Sequence, residues 1–435
     1  MITPILIATD AIFRIGAEIL FLKSLFLIKR LTTNHSNFMK NKISEHFKIT
    51  FLFGLILLSA CNAQQEDDIV LGANRMNEYL SLLKDKNVGI VGNQTSLVKT
   101  SHQEYVHLVD TLLSKNVRVK KVFAPEHGFR GKADAGEKVK DGVDKKTGLP
   151  IISLYGNNKK PSSQQLDNID ILIFDIQDVG VRFYTYISTL HYIMEACAEN
   201  EIPLIILDRP NPNGDYIDGP ILKKEYQSFV GMHPVPIVHG MTIAEYAKMI
   251  NGENWLAGNR KADIHNVYVK NYHKNKKYTP PVPPSPNLPN YKAIRLYPSL
   301  CFFEGTSISV GRGTDKPFQL YGAPFLPANK YQFKFTPEPN QGAQHPKHEG
   351  KICYGKQLDS LPEAKINLKY LLRAYQNAPD QKFFFNSFFN KLAGNDQLQH
   401  KIKQHRPVDS IYMSWSKDLQ KFKALKSKYT HYRKN

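Results

Sequence analysis

The stretch that decides the fold is IDILIFDI at residues 169–176, followed at once by QDVG at residues 177–180. The first part has strand length, is rich in β-branched residues, and contains the continuous apolar run ILIF at residues 171–174 between Asp170 and Asp175. Such runs are typical of parallel strands that are buried on both faces. The second part is polar and ends in glycine, as loops at strand ends often do. The segment therefore predicts a strand of a parallel sheet with polar side chains at its carboxyl end.

Segments of the same kind occur before and after this strand. They cover residues 88–91, 119–124, 151–155 and 203–207. Helix candidates lie between the strands or after them, at residues 102–116, 164–167 and 188–200, and in a capping-box segment that begins at Thr242 and Glu245 and runs through Ile250. Strand–helix alternation of this kind predicts a parallel sheet that is covered on both faces.

A proline-rich segment, PPVPPSP at residues 280–286, interrupts this pattern. It suits neither a helix nor a central strand, and it acts as a stiff spacer. We therefore place a domain boundary near it, which divides the folded part into residues 72–285 and 286–435. In the second part we expect a helix at residues 363–377 and a terminal helix whose apolar stripe, including Trp415 and Phe422, docks on the core.

The N-terminal residues are typical of an export signal. Residues 39–60 have a basic start, an apolar core too short to span a membrane, and the ending Leu58-Ser59-Ala60 before Cys61. This ending resembles a bacterial lipobox, in which Cys61 is lipidated. We then expect residues 61–71 to be a tether, residues 1–38 to be an over-extended start, and the protein to be membrane-anchored, facing the periplasm or the cell surface. The alternative is a secreted protein cleaved after Ala63.

Composition narrows the class of protein. The 435 residues are 42% hydrophobic and 22% charged, which is typical of a globular chain, and the net charge of +19 favours an anionic substrate or surface. The charge is spread out rather than concentrated in a nucleic-acid-binding module, so we expect no nucleic-acid partner. The sequence contains neither a C-x-x-C pair nor the G-x-G-x-x-G, P-loop or G-x-S-x-G motifs. We therefore expect no cofactor and no metal.

Polar residues follow nearly every predicted strand. In an open parallel sheet, ligands bind beyond the carboxyl ends of the strands. The sequence therefore predicts one polar cleft, suited to the hydrolysis of a polar, anionic and hydroxyl-rich substrate. Its candidate residues are Asn93, Glu126, His127, Arg130, Gln177, Asp178, Arg182, Tyr184, Asp208, Arg209 and Asn211.

Glycosidic hydrolysis needs an acid for the leaving oxygen and a base or nucleophile for the anomeric carbon. Glu126 follows the second predicted strand and Asp178 follows the fourth, so these two carboxylates are the candidate pair. Structural roles are the alternatives to catalysis or binding for these residues. Glu126 would form a salt bridge with Arg130, and Asp175 would be a carboxylate that braces its loop. Asp208 would form an ion pair with Arg209.

Five motifs closely resemble the NamZ-type exo-β-N-acetylmuramidases, glycoside hydrolase family 171. The likeness runs from about residue 72 to residue 432. The motifs are PEHG at 125–128, DIQDVG-x-R-x-YTY at 175–186, DRPNP at 208–212, EGT at 304–306 and GRGT at 311–314.

The resemblance implies an α/β fold, with a Rossmann-like parallel-sheet domain joined to a second, smaller α/β domain and the active-site cleft between them. It also implies release of N-acetylmuramic acid from the non-reducing ends of peptidoglycan fragments. We expect Glu126, Asp178 and Tyr184 to be catalytic. Muramic acid carries a lactyl carboxylate that an arginine fork would match, and the candidates for this contact are Arg182, Arg209 and Arg312.

We expect the remaining cleft residues to bind substrate, and Glu304 joins them on the strength of its motif. Two other functions remain open at this point. One is a non-catalytic surface lipoprotein that binds cell-wall sugars. The other is an esterase or deacetylase that acts on the same sugars, although no nucleophile or metal motif supports it.

Overall fold

The computed structural model describes residues 68–126, 128–130 and 141–433. The predicted signal peptide, Cys61, the tether up to residue 67 and His127 lie outside the described residues. The strands, in chain order, are β1 Val88–Gly92, β2 Leu97–Lys99, β3 Tyr105–His107, β4 Val119–Ala124, β5 Gly142–Val143, β6 Pro150–Ser153, β7 Ile171–Asp175, β8 Leu204–Leu207, β9 Ile264–Val267, β10 Leu320–Ala323, β11 Phe333–Phe335 and β12 Cys353–Gln357.

The main sheet has the order β5-β6-β4-β1-β7-β8-β9. All its pairings are parallel except that of β5 with β6, at one edge. The six parallel strands therefore follow the doubly wound order 3-2-1-4-5-6 of a Rossmann-like sheet. The order reverses between β1 and β7, and a doubly wound sheet opens a crevice for ligands at that point.

The central strands β1, β7 and β8 are buried on both faces. Along β7, Ile171 and Ile173 belong to one hydrophobic core, whereas Leu172 and Phe174 belong to the other. Successive side chains of a strand point to opposite faces, so two cores require apolar residues at every position. This explains the uninterrupted apolar run of the sequence, and the predicted α/β fold class is confirmed.

Helices cover the sheet and build most of the second, smaller domain. They are α1 Leu108–Ser114, α2 Ser163–Leu166, α3 Tyr186–Asn200, α4 Ile243–Gly252, α5 Tyr291–Leu300, α6 Lys369–Asn377, α7 Phe389–Ala393, α8 Gln397–Lys403 and α9 Val408–Ser427. In that domain β10, β12 and β11 form a small antiparallel sheet. The predicted capping box is confirmed at the start of α4, where Thr242 and Glu245 bond each other's backbone N–H groups.

Two predicted helices begin later than expected. Within residues 102–116 the helix starts only at Leu108, because Tyr105–His107 pairs with β2 as an antiparallel strand and the His107 side chain caps α1. Within residues 363–377 the helix starts at Lys369. Its N–H is bonded by the Asn367 side chain, which offers a turn in place of a further helical bond.

Candidate functional site

A cavity of about 480 Å³ lies where the loops after β4 and β7 meet the second domain. Residues of the Rossmann-like half and of the second domain both line it. Apolar walls come from residues such as Phe183, Phe229 and Phe318. The polar residues at its surface include Glu126, Tyr155, Tyr184, Thr185, Asn287, Glu304, Arg312, His345 and Lys347.

Glu126 reaches the cavity from a tight turn after β4. The turn is closed by the Gly128 N–H, which donates to the Pro125 carbonyl, and Gly128 has a φ of 75° that favours glycine. The Thr185 hydroxyl donates to Oε2 of Glu126 at 2.8 Å. Tyr155 hydrogen-bonds the same carboxylate, and burial together with this negative neighbour raises the pKa of Tyr155. Two hydroxyl groups thus hold the Glu126 carboxylate in the cavity wall.

The loop after β7 brings Tyr184 and Thr185 to the cavity and turns at Gly180. The Asp178 side chain accepts a hydrogen bond from the Gly180 N–H at 2.6 Å. Gly180 has a φ of 75°, and a Cβ there would lie 2.1 Å from the Asn211 side chain, so the turn requires glycine. The loop is therefore fixed on both sides before the chain enters α3.

Asp178 is buried and does not line the cavity. Its Oδ1 has no hydrogen-bond partner among the described residues, and Nε2 of His239 lies 4.0 Å from its Oδ2. Burial raises the pKa of Asp178 to about 7 and lowers the pKa of His239 to about 3. Tyr184, by contrast, does line the cavity, and its hydroxyl donates to the Pro284 carbonyl at 2.8 Å.

Glu304 and Arg312 form an ion pair in the part of the cavity wall that the second domain contributes. The Arg312 Nε lies 3.2 and 3.3 Å from the two carboxylate oxygens of Glu304. Both residues come from motifs of the second domain, and both line the cavity with Glu126. The cavity therefore holds two carboxylates, and Glu304 pairs with an arginine of its own wall.

The other two arginines that were candidates for the lactyl carboxylate lie outside the cavity lining. Arg209 forms a buried ion pair with Asp175. Arg182 is fully buried, and its guanidinium donates to the carbonyls of Pro220, Val235 and Leu392. Burial lowers the pKa of Arg182 to about 9. Both guanidinium groups are thus engaged within the protein.

The remaining sequence candidates brace the loops around the cavity, because each of them bonds a neighbouring loop or helix. The Asn93 amide donates to Tyr186, Gln177 donates to the carbonyls of Asp178 and Pro210, and Asn211 donates to the carbonyl of Met241; Asp208 accepts from Tyr432 and the Ala244 N–H, and Arg130 pairs with Asp144 and Asp110. The alternative ion pair between Asp208 and Arg209 is wrong, because Arg209 bonds Asp175 instead.

Several cavity residues were not among the sequence candidates. Thr185 lies inside a quoted motif and Tyr155 ends a predicted strand, so their positions carried a signal. Asn287 and Lys347 lie in irregular segments that no periodicity or motif marks. Their place in the cavity depends on tertiary contacts, such as the hydrogen bond from the Asn287 amide to the Gly342 carbonyl.

Two other features bear on the class of site. In the part of the chain that the structure describes, no His, Cys, Asp and Glu side chains cluster in a way that could hold a metal ion. Over the same residues, no helix combines the length and the apolar character needed to cross a membrane.

Comparison with known proteins places the chain in a family. A family model described as "Exo-beta-N-acetylmuramidase NamZ, N-terminal" matches residues 88–292, and its C-terminal counterpart matches residues 295–432. The chain is 40% identical over 381 residues to the peptidoglycan beta-N-acetylmuramidase NamZ of Bacillus subtilis strain 168. The aligned region covers 82% of this chain and 89% of that protein. The chain belongs to the NamZ family.

Two solved structures have a similar fold. A crystal structure of a DUF1343 family protein from Bacteroides fragilis is 44% identical, with a TM-score of 0.77, and covers 85% of this chain and 100% of its own. A second such protein from the same species is 29% identical, with a TM-score of 0.72, and covers 84% of this chain and 99% of its own. The resemblance drawn from the five motifs is confirmed.

Proposed function

We propose that this NamZ-family chain is an exo-β-N-acetylmuramidase that releases N-acetylmuramic acid from the non-reducing ends of peptidoglycan fragments. Its place in the cell would be wall turnover and recycling. The named relative from Bacillus subtilis is a peptidoglycan beta-N-acetylmuramidase, and it spans most of this chain. A non-catalytic sugar-binding lipoprotein is the less favoured function, because a binding protein has no need of two carboxylates in its cavity.

The observation that carries the proposal is the placement of Glu126. Glu126 lines a cavity of about 480 Å³, just after β4, and its Oε2 lies 2.8 Å from the Thr185 hydroxyl. A carboxyl group held in this way can exchange a proton with a glycosidic oxygen or with water, as general acid–base catalysis requires. Glu304 lines the same cavity and is the second carboxylate available to the reaction.

The other two catalytic candidates, Tyr184 and Asp178, differ in whether they line the cavity. Tyr184 lines the cavity, and its hydroxyl donates to the Pro284 carbonyl. Asp178 stands behind this surface and shapes the loop through its bond to Gly180. We propose that Tyr184 contacts the sugar and that Asp178 keeps the loop in position.

Arg312 is the arginine best placed to read the lactyl carboxylate of muramic acid. It lines the cavity, whereas Arg182 and Arg209 donate to groups elsewhere in the protein. Arg312 forms an ion pair with Glu304. A substrate carboxylate would therefore be a second hydrogen-bond acceptor for the Arg312 guanidinium.

The cellular location rests on the N-terminal sequence. We propose that residues 39–60 are a signal peptide and that Cys61 is lipidated, which would anchor the enzyme to a membrane and expose it to the periplasm or the cell surface. Wall fragments occur in those compartments, so the location suits the substrate.

The activity is tested with a chromogenic β-glycoside of N-acetylmuramic acid and with Glu126→Gln. Glutamine keeps the size of the side chain but cannot transfer a proton, so we expect kcat to fall by about 10²-fold or more. Glu225→Gln, which changes an exposed glutamate, is the matched control and should leave kcat unchanged. NMR of the anomer first released then shows whether the configuration is retained or inverted.

Two results would contradict the proposal. If wild type releases no chromophore from the muramic-acid glycoside at any enzyme concentration, the chain does not have this activity. If wild type is active and Glu126→Gln keeps kcat within about threefold of it with an unchanged circular dichroism spectrum, Glu126 is not the acid–base group.

A further inference from the structure

Lys347 is a partly buried lysine in the wall of the cavity, and the proposed reaction gives it no role. Its Nζ donates to three backbone carbonyls, those of Phe303 at 3.2 Å, Thr306 at 2.5 Å and Ile308 at 3.1 Å. Burial lowers its pKa, and the nearby Glu304 carboxylate opposes that shift. The ammonium group thus sits where three carbonyl dipoles converge.

The number of these bonds limits what Lys347 can do. An ammonium group has three N–H donors and no acceptor. All three point to carbonyls of one short segment, so none remains for a substrate group in this conformation. Lys347 therefore acts on the substrate through the protein that it holds.

The segment that Lys347 holds carries one wall of the site. Residues 303–308 include Glu304, which bonds Arg312 from the following loop. The neighbouring His348 adds a fourth contact, with its Nε2 2.7 Å from the Ser307 carbonyl. Three converging carbonyl oxygens repel one another unless a cation lies between them, so this backbone shape depends on a positive charge at that point.

Lys347 itself comes from a loop whose two ends meet. The Gly350 N–H donates to the Pro337 carbonyl at 2.9 Å, which closes residues 337–350 into an Ω-type loop. The Asn287 amide pins the same loop at the Gly342 carbonyl. The loop lines the cavity through His345, Pro346 and Lys347, so it forms a wall of the site as well as an anchor for another wall.

We propose that Lys347 is a positioning residue, which joins the 337–350 loop to the 303–308 segment and thereby fixes Glu304 and Arg312 for the reaction. This inference rests on the proposed glycosidase function. Glu304 and Arg312 face the substrate, and Lys347 governs their alignment through the backbone rather than by contact. Misalignment of such groups lowers the rate of the chemical step more than it weakens binding.

The kinetic test compares Lys347→Met with Lys351→Met on the chromogenic muramic-acid glycoside. Methionine keeps the length of the side chain but removes its charge and its donors. We expect K347M to lower kcat by about 10-fold or more while KM changes little. K351M changes an exposed lysine directly after the same loop and should match wild type. Lys347→Arg keeps a cation with donors, so its kcat should lie between those of wild type and K347M.

Hydrogen–deuterium exchange gives a readout that does not depend on activity. In K347M the amides of residues 303–308 should exchange faster, whereas those of β7 should keep their protection. If wild type lacks glycosidase activity but this exchange pattern appears, the positioning role stands and the proposed function fails. If wild type is active but K347M leaves both kcat and exchange unchanged, the positioning role is overturned.

The split between kcat and KM decides the remaining cases. A loss confined to KM would make Lys347 a binding determinant and overturn the proposal. Should K347M fail to fold, Lys347→Gln, which also removes the charge, decides. A lowered kcat with faster exchange at residues 303–308 and an unchanged melting temperature supports the positioning role, and wild-type values of kcat and exchange overturn it.

Discussion

Arg209 donates two hydrogen bonds to Asp175, from Nε at 2.6 Å and from Nη2 at 2.9 Å, and both side chains are almost completely buried. Asp175 ends β7 and Arg209 follows β8, so the pair joins the two strand ends beside the point where the strand order reverses. Arg209 also bonds the Leu97 carbonyl, which adds the segment after β1. The pair stabilises the carboxyl ends of these strands, where the loops that line the cavity begin.

The first prediction concerns the stability of this pair. Asp175→Asn removes the negative charge and leaves Arg209 as a buried cation without a counter-ion. We expect the free energy of unfolding to fall by about 3–5 kcal/mol. Asp418→Asn breaks an exposed ion pair with Lys421 and should cost less than about 1 kcal/mol. Urea unfolding at pH 7 measures both, and equal small losses would show that the buried pair adds nothing.

A second prediction concerns pH. Burial raises the pKa of Asp178 to about 7 in the folded state, whereas the unfolded chain keeps the usual value near 3.8. Between these two values the unfolded state releases a proton that the folded state retains, so this residue lowers stability as pH rises from about 4 to about 7. Asp178→Asn removes this effect. Its unfolding free energy relative to wild type should rise by roughly 2–3 kcal/mol between pH 5 and pH 8.

Asparagine at position 178 keeps an oxygen that can accept from the Gly180 N–H, so the turn is preserved. The check is a series of urea titrations across that pH range on both proteins. A difference that stays constant with pH would mean that the Asp178 carboxyl group ionises in the folded protein much as it does in the unfolded chain.

The third prediction concerns specificity. If Arg312 reads the lactyl carboxylate, Arg312→Lys should lose bidentate contact while keeping the charge. We expect kcat/KM on the muramic-acid glycoside to fall more than kcat/KM on the N-acetylglucosamine analogue, which lacks the carboxylate. The loss of discrimination should be on the order of 2 kcal/mol, at the lower end for a hydrogen-bonded charge pair. An equal loss on both substrates would assign Arg312 to the support of Glu304 alone.

A fourth prediction concerns the N-terminus. Cys61→Ser removes the acceptor of the lipid, so the variant should be recovered in the soluble periplasmic fraction or in the medium. Metabolic labelling with a tagged fatty acid checks this directly. Labelling of C61S as strong as that of wild type would exclude Cys61 as the anchor.

The sheet was predictable because its signal is local. Each of its central strands packs between two cores. The sequence of such a strand is therefore an apolar run, whichever strands pair with it in the sheet. The segments at residues 105–107 and 264–267 lack such a run. Tyr105 is exposed, and Ile264–Val267 is only partly buried at the sheet edge, so tertiary pairing decides that these residues form strands.

The site was predictable only in part, because tertiary contacts decide which of its polar residues reach the cavity. Motifs name the polar residues at the strand ends, and Glu126, Tyr184, Glu304 and Arg312 do line the cavity. The presence of an arginine in a motif does not show whether it binds substrate or hydrogen-bonds other groups of the protein. The distinction for Arg182 depends on the Leu392 carbonyl, which lies 210 residues away in sequence.

That long-range contact has a consequence for how the gene can be divided. Arg182 belongs to the loop after β7, and one of its bonds ends on the helix α7 of the second domain. A fragment that stops at residue 292 would keep the guanidinium but lose one of its three carbonyl partners. Expression of the first half alone would therefore leave the Arg182 guanidinium without one of the carbonyl groups that hold it in the whole chain. The two halves should accordingly be expressed as one chain.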